Sequence, residues 1–104
     1  MDAEKQELID KLEQCKISIE NSLFNTRVGA TKISKDTLER QSIDNSIISH
    51  EKTYTKLIEI IDLLKTNSEP PMAQLKVVIE NLMRTVALQE KTTRDIVQKL
   101  FKEK

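Results

Sequence analysis

Residues 43–64 read IDNSIISHEKTYTKLIEIIDLL, and their side chains suited to a core recur at alternating intervals of four and three. This heptad spacing places them along one side of a helix, which must bury that side against other helices. The remaining segments of the chain are therefore expected to supply the partner helices. The residues of this seam are Ile43, Ile47, His50, Tyr54, Leu57, Ile61 and Leu64.

The segments on either side continue the same spacing. A first helix is predicted over about residues 3–25, with Ile17 and Phe24 lying off its apolar stripe. The segment 43–64 belongs to a second helix over about 36–66, and a third is predicted over about 71–101. The stripe of the first helix contains Leu8, Leu12, Cys15, Ile19 and Leu23, and the third-helix seam contains Leu75, Ile79, Leu82, Val86, Gln89, Thr93, Ile96 and Leu100.

The predicted connections have different signals. Residues 26–35 contain the only glycine, Gly29, and are predicted to form a loop whose Val28 and Ile33 tuck against the end of the bundle. Asp36, with a glutamate three residues later, resembles a capping box, although Ser34 is a competing cap. Two prolines in the turn 67–71 separate the second and third helices. The sequence thus predicts one all-α domain, a three-helix antiparallel bundle with coiled-coil-like packing.

The short turn at 67–71 makes the second and third helices antiparallel neighbours. In the resulting register Leu64 meets Leu75, while His50 meets Gln89 and Thr93 lies one turn further along. We therefore predict a buried polar layer of His50, Gln89 and Thr93, a common device for fixing register in an apolar seam.

Folding the first helix about its loop pairs Leu8 with Tyr54 and leaves the end of the hairpin uncovered. That end, residues 57–79, is called the hairpin tip. It is apolar around much of both helices, and such a patch usually marks an interface. The alternative is that the first helix shifts its register or bends over the tip. The predicted partner-binding residues are Leu57, Ile58, Ile60, Ile61, Leu63, Leu64, Met72, Leu75, Val78 and Ile79.

Charge and cysteine usage exclude several classes of function. Seventeen basic and seventeen acidic residues cancel, so no nucleic-acid footprint is expected. One cysteine, Cys15, and one histidine cannot form a four-ligand metal site, and the longest apolar cluster is too short to span a membrane. The lone cysteine suits a reducing compartment, the cytosol or the nucleus.

The string Ser49-His50-Glu51-Lys52-Thr53 resembles the start of the histidine-kinase phosphoacceptor box through three consecutive identities. The resemblance implies a phosphotransfer domain that uses His50. A phosphoacceptor must face solvent, however, whereas the heptad places His50 in the seam. A hydrogen-bonded histidine in the core is therefore the favoured interpretation.

The sequence thus favours a non-catalytic interaction module, a small helical subunit or adaptor without a cofactor. It would pack with a protein partner, or with a second copy, through the hairpin tip. One alternative is a regulatory protein or chaperone that sequesters a helix of another protein. The remote alternative is phosphotransfer at His50.

Overall fold

The computed structural model describes residues 3–102, and the side chains of residues 3–99. This part of the chain forms three helices and contains no strand: α1 is Ala3–Ala30, α2 is Leu38–Thr66 and α3 is Met72–Lys102. The expected all-α class is confirmed. Leu100, the last predicted seam residue, lies outside the described side chains.

Contacts between helices establish their directions. Lys5 Nζ donates a hydrogen bond to the Asn67 carbonyl at 2.8 Å, and the Tyr54 hydroxyl donates to Glu20 at 2.9 Å. Residue numbers in α1 therefore rise as those in α2 fall, so the two helices run in opposite directions.

The third helix runs alongside α1 in the same direction. Lys76, near the start of α3, forms an ion pair with Glu4, and the hydroxyl oxygens of Thr93 and Thr26 lie 3.3 Å apart near the other end. The bundle is a rod with principal extents of 52 × 21 × 18 Å, so its core is only one layer of side chains thick.

Most of the interhelical packing involves α1. It contacts both α2 and α3 extensively, whereas α2 and α3 contact each other far less. Leu12 and Ile19 are fully buried as a result. The expectation that the first helix covers the α2–α3 hairpin only in part is wrong.

The hairpin tip is covered by the N-terminal half of α1. Tyr54, which was expected to meet Leu8, instead contacts Glu20, and Lys5 reaches the turn at Asn67. The expectation of an uncovered tip is therefore wrong, and the alternative, a shifted first helix, describes the structure.

The polarity of the three helices explains this register. The N-terminal half of α1 carries large apolar residues, and the apolar tip is where they bury most surface. Beyond Ile19 and Leu23 the buried side of α1 changes to the small or hydroxyl residues Thr26, Gly29 and Ala30, which lie toward the polar layer. One contiguous apolar cluster results, and its buried members are Ile9, Leu12, Ile19, Leu23, Leu57, Ile60, Ile61, Leu64, Leu75, Ile79 and Val86.

The first helix continues five residues beyond its expected end at residue 25 and stops at Ala30. Thr26, Gly29 and Ala30 are buried on the same side of this added segment. A glycine inside a helix costs about 1 kcal/mol relative to alanine. At Gly29 the burial of the helix face offsets that cost, so the predicted loop of residues 26–35 is too long at its N-terminal end.

The connection between α1 and α2 ends in a threonine cap. Thr37 has an extended backbone, and its side chain accepts a hydrogen bond from the Arg40 backbone N–H at 3.2 Å. The predicted cap at Asp36, and its competitor Ser34, are both wrong by one to three positions. The cap residue is nevertheless of the expected chemical type, because a hydroxyl can satisfy a free N–H in the first turn.

The side chain of Arg40 ties this connection to the end of α1. One guanidinium nitrogen donates to the carbonyls of Ala30 and Ile33 at 2.8 and 3.1 Å, and Nε pairs with Asp44 at 3.0 Å. Carbonyls at the end of a helix lack hydrogen-bond donors within the helix. Here the Arg40 guanidinium of the next helix is the donor.

We predict that Arg40→Ala lowers the free energy of unfolding by about 1.5–3 kcal/mol, because it removes charge-assisted hydrogen bonds to two carbonyls. Urea denaturation followed by helical circular dichroism measures this change. Arg40→Lys keeps the charge but loses the planar fork, so an intermediate loss is expected. A midpoint for Arg40→Ala equal to that of the wild type would contradict the role of Arg40 as a clamp.

A matched pair of substitutions tests the burial of the tip. Ile61 is 6 % exposed and Ile58 is 43 % exposed, and both lie in the same stretch of α2. Ile61→Asp places a carboxylate in the apolar core and is expected to unfold the domain. Ile58→Asp should change the thermal midpoint little, and equal effects from the two variants would show that α1 does not cover the tip.

Candidate functional site

The half of the core nearer the α1–α2 connection is built around buried polar side chains. His50 is 1 % exposed, and Gln89 and Thr93 are also buried, at the level that the heptad register places them. The structure adds residues to this layer that the heptad pattern does not predict, because two of them precede a seam position by one residue and the third lies in the predicted loop. These additional buried polar residues are Ser22, Thr26 and Thr53.

The two ring nitrogens of His50 have different partners. Nδ1 lies 2.6 Å from the Ser46 carbonyl oxygen, which only accepts hydrogen bonds, so Nδ1 carries a proton. Nε2 lies 3.2 Å from the Thr93 hydroxyl. His50 therefore bridges its own helix and α3 through Thr93. The sequence register instead predicts a hydrogen bond between His50 and Gln89, which the structure does not form.

A chain of hydroxyl groups extends the layer from His50 to α1. Thr26 donates to the Ser22 carbonyl at 2.7 Å, and its oxygen lies 3.3 Å from that of Thr93. If His50 is neutral, Thr93 donates to Nε2 and no proton remains between the two threonines. If His50 is an imidazolium ion, Nε2 donates to Thr93, which then donates to Thr26. The number of protons on the ring therefore decides the direction of the His50–Thr93 hydrogen bond and whether Thr93 donates to Thr26.

Gln89 forms the second part of the layer. Its Nε2 donates to the hydroxyl oxygens of Ser49 at 2.9 Å and Thr53 at 3.1 Å. Its Oε1 is buried and has no hydrogen-bond partner. An unsatisfied buried carbonyl destabilises the fold, so this layer gives up some stability while it fixes α3 against α2.

We predict that His50→Leu leaves the fold intact. The free energy of unfolding should stay the same or rise by up to about 1 kcal/mol. Leucine fills a similar volume, and the Thr93 hydroxyl remains free to donate to Thr26. Leu57→Ala, at another fully buried position of α2, should instead cost about 2–5 kcal/mol. Chemical denaturation compares the two variants, and equal losses would mean that His50 makes an indispensable contact.

The other candidates for chemistry have unreactive surroundings. Cys15 is half-buried, and this burial, together with the nearby Glu90 carboxylate, raises the pKa of its thiol above the ordinary value. Less thiolate is then present at neutral pH, which disfavours nucleophilic attack. Within residues 3–102, no group of three His, Cys, Asp or Glu residues is placed to hold a metal ion.

The predicted partner-binding residues divide into two sets. Ile58, Leu63 and Val78 remain exposed and Met72 is half-buried. The other six are core residues of the single chain and are covered by α1. They are Leu57, Ile60, Ile61, Leu64, Leu75 and Ile79.

Large apolar side chains are also exposed on α1, directly opposite its buried side. Ile17, Phe24 and Val28 are 56 %, 67 % and 42 % exposed. Gln14 and Asn21, which are also exposed, complete a spacing of three and four from Gln14 to Val28. We call these five residues the outer α1 stripe.

The spacing of the core seams does not predict this stripe. It places Ile17 and Phe24 off the core, but the glycine signal predicts a loop in which Val28 tucks against the bundle. Val28 is instead a helical residue and is exposed. The seven-residue interval from Ile17 to Phe24 and the four residues to Val28 were the available signal.

Open grooves border the outer α1 stripe on both sides. The groove toward α3 has a volume of about 440 Å³ and is lined in part by Ile17 and Asn21. The groove toward α2 has a volume of about 490 Å³ and is lined in part by Phe24 and Tyr54. The stripe is therefore a ridge raised above both neighbouring helices.

No protein-family model, curated protein or solved structure matches this chain. In the part of the chain that the structure describes, none of the helices is apolar enough over a sufficient length to cross a membrane.

Proposed function

We propose that this protein is a non-catalytic interaction module that binds another protein through an exposed helix face. The observation that carries the proposal is the outer α1 stripe, where three large apolar side chains point away from the core. Large apolar side chains exposed together on one helix face favour a binding site. The proposed docking surface is this stripe rather than the hairpin tip, because α1 already covers most of the tip.

The charge balance supports a protein as the partner. Acidic and basic residues are equal in number, so the chain offers no excess of cations to a phosphate backbone. The lone Cys15 fits a reducing compartment, the cytosol or the nucleus. Helix-face docking would obtain its affinity from Ile17, Phe24 and Val28, with the surrounding polar residues fixing the register.

Capture of a foreign helix by a chaperone-like groove has less support. The groove between α1 and α2 is open, but three of its seven lining residues are charged: Glu20, Arg27 and Glu51. Two of these, Arg27 and Glu51, pair across it at 3.2 Å. An apolar helix placed there would have to displace that ion pair. Phosphotransfer has less support still, since His50 is buried and both of its ring nitrogens have partners.

Phe24→Glu tests the proposal, with Leu88→Glu as its matched control. Phe24 is 67 % exposed on α1 and Leu88 is 66 % exposed on α3, so neither substitution removes a core side chain. We expect Phe24→Glu to abolish binding of the partner, whether a different protein or a second copy, while Leu88→Glu retains it. Quantitative affinity capture and solution mass measure the two forms of binding. If neither form responds to Phe24→Glu, the proposed function is wrong.

A further inference from the structure

We propose that the partner of the outer α1 stripe is a second copy of this chain, docked with the two α1 helices parallel. This inference rests on the proposed function and names the partner. It is carried by the heptad spacing of the stripe, its lack of charge and the amide at its centre.

The outer α1 stripe is a second coiled-coil seam on a helix whose first seam is already buried. At about 100° per residue, Ile17, Phe24 and Val28 lie on the opposite side of α1 from Leu12 and Ile19. A helix with two opposed seams can pack into its own bundle and against another helix at once. Since α2 and α3 both lie on the buried side, they do not obstruct an approach to the stripe.

The stripe is uncharged in a protein whose residues are 33 % charged. No Lys, Arg, Asp or Glu occupies the positions of the stripe, and Asn25 beside it is also neutral. A strongly acidic or basic partner would therefore gain no charge complementarity here. An identical neutral face meets no like-charge repulsion at its centre.

Asn21 indicates both the partner and its direction. An amide is both donor and acceptor, so an asparagine on a two-fold axis can hydrogen-bond to its own copy. In a parallel pair of α1 helices, Asn21 meets Asn21 while Ile17, Phe24 and Val28 each meet their counterparts. An asparagine at one core position is known to specify register in parallel coiled coils.

The antiparallel arrangement leaves the same amide unsatisfied. The stripe alternates between two heptad positions, one held by Asn21 and the other by Ile17 and Phe24. In an antiparallel pair each position packs against the other one, so Asn21 would face Phe24 or Ile17 of the second copy. Its buried donors and acceptor would then lack partners, which is costly. In the parallel pair Glu20 lies beside the neutral Asn25 of its counterpart, so this flanking contact adds no like-charge repulsion.

The size of the surface limits the affinity. From Gln14 to Val28 the stripe extends about 21 Å along one helix, which is a small contact compared with stable dimer interfaces. The dimer should therefore be weak and should form progressively as concentration rises.

Sedimentation equilibrium over roughly a hundredfold range of protein concentration tests self-association. We expect the wild-type mass to rise from monomer toward dimer. Phe24→Glu should weaken association by about tenfold or more, whereas Leu88→Glu should associate like the wild type. Circular dichroism checks that both variants are folded, and Ile17→Glu provides a second disruptive variant on the same face.

Disulfide trapping tests the orientation. In a Cys15→Ser background, Gln14→Cys keeps Asn21 and should oxidise to a cross-linked dimer, because residues at this end of the stripe meet their own counterparts only in the parallel pair. In an antiparallel pair the two Gln14 positions lie at opposite ends of the contact. Leu88→Cys in the same background should cross-link far less, and efficient cross-linking of Leu88→Cys without that of Gln14→Cys would overturn the proposed surface.

The outcomes separate this inference from the proposed function. A wild type that stays monomeric at every concentration overturns the homodimer. If such a monomer still captures another protein and loses it on Phe24→Glu, the interaction module stands with a different partner. If Phe24→Glu affects neither measurement, both proposals fail.

Discussion

The structure depends on the burial of the α1 stripe between α2 and α3. Because α2 and α3 contact each other little, removal of α1 would leave both with uncovered apolar faces. Leu12 and Ile19 of α1 are both fully buried, so they contribute most directly to this packing. The hydrophobic effect scales with the apolar area removed from water, so α1 contributes to most of the core in this thin rod.

The core has two chemically different halves. Toward the α2–α3 turn it is a contiguous cluster of leucine, isoleucine and valine, which stabilises the fold but specifies register weakly. Toward the α1–α2 connection it contains His50, Thr93 and Thr26, whose directional hydrogen bonds tolerate little displacement along the helix axes. We infer that the apolar half supplies most of the stability and the polar half fixes how the helices align.

The candidate site was predicted in part. The seam positions predicted that His50, Gln89 and Thr93 lie at one level of the core. This is possible because the turn between α2 and α3 is short, so facing positions can be counted outward from it. Thr26 was missed because Gly29 suggested a loop, and only packing against α2 and α3 keeps this segment helical. The exposure of Phe24 and Val28 depends in turn on the end of α1 and on which of its sides is buried.

The sequence by itself determined the helical class, the positions of α2 and α3 and the polar level between them. These follow from heptad spacing and from Pro70 and Pro71, which act locally along the chain. The tertiary structure alone decided the register of α1 and therefore which apolar residues lie in the core and which lie on the surface. Several registers bury a stripe of α1, and the choice depends on matching its large apolar residues to the apolar cluster and its C-terminal end, with Thr26, to the polar layer. That match is a property of three packed helices, so no single segment contains it.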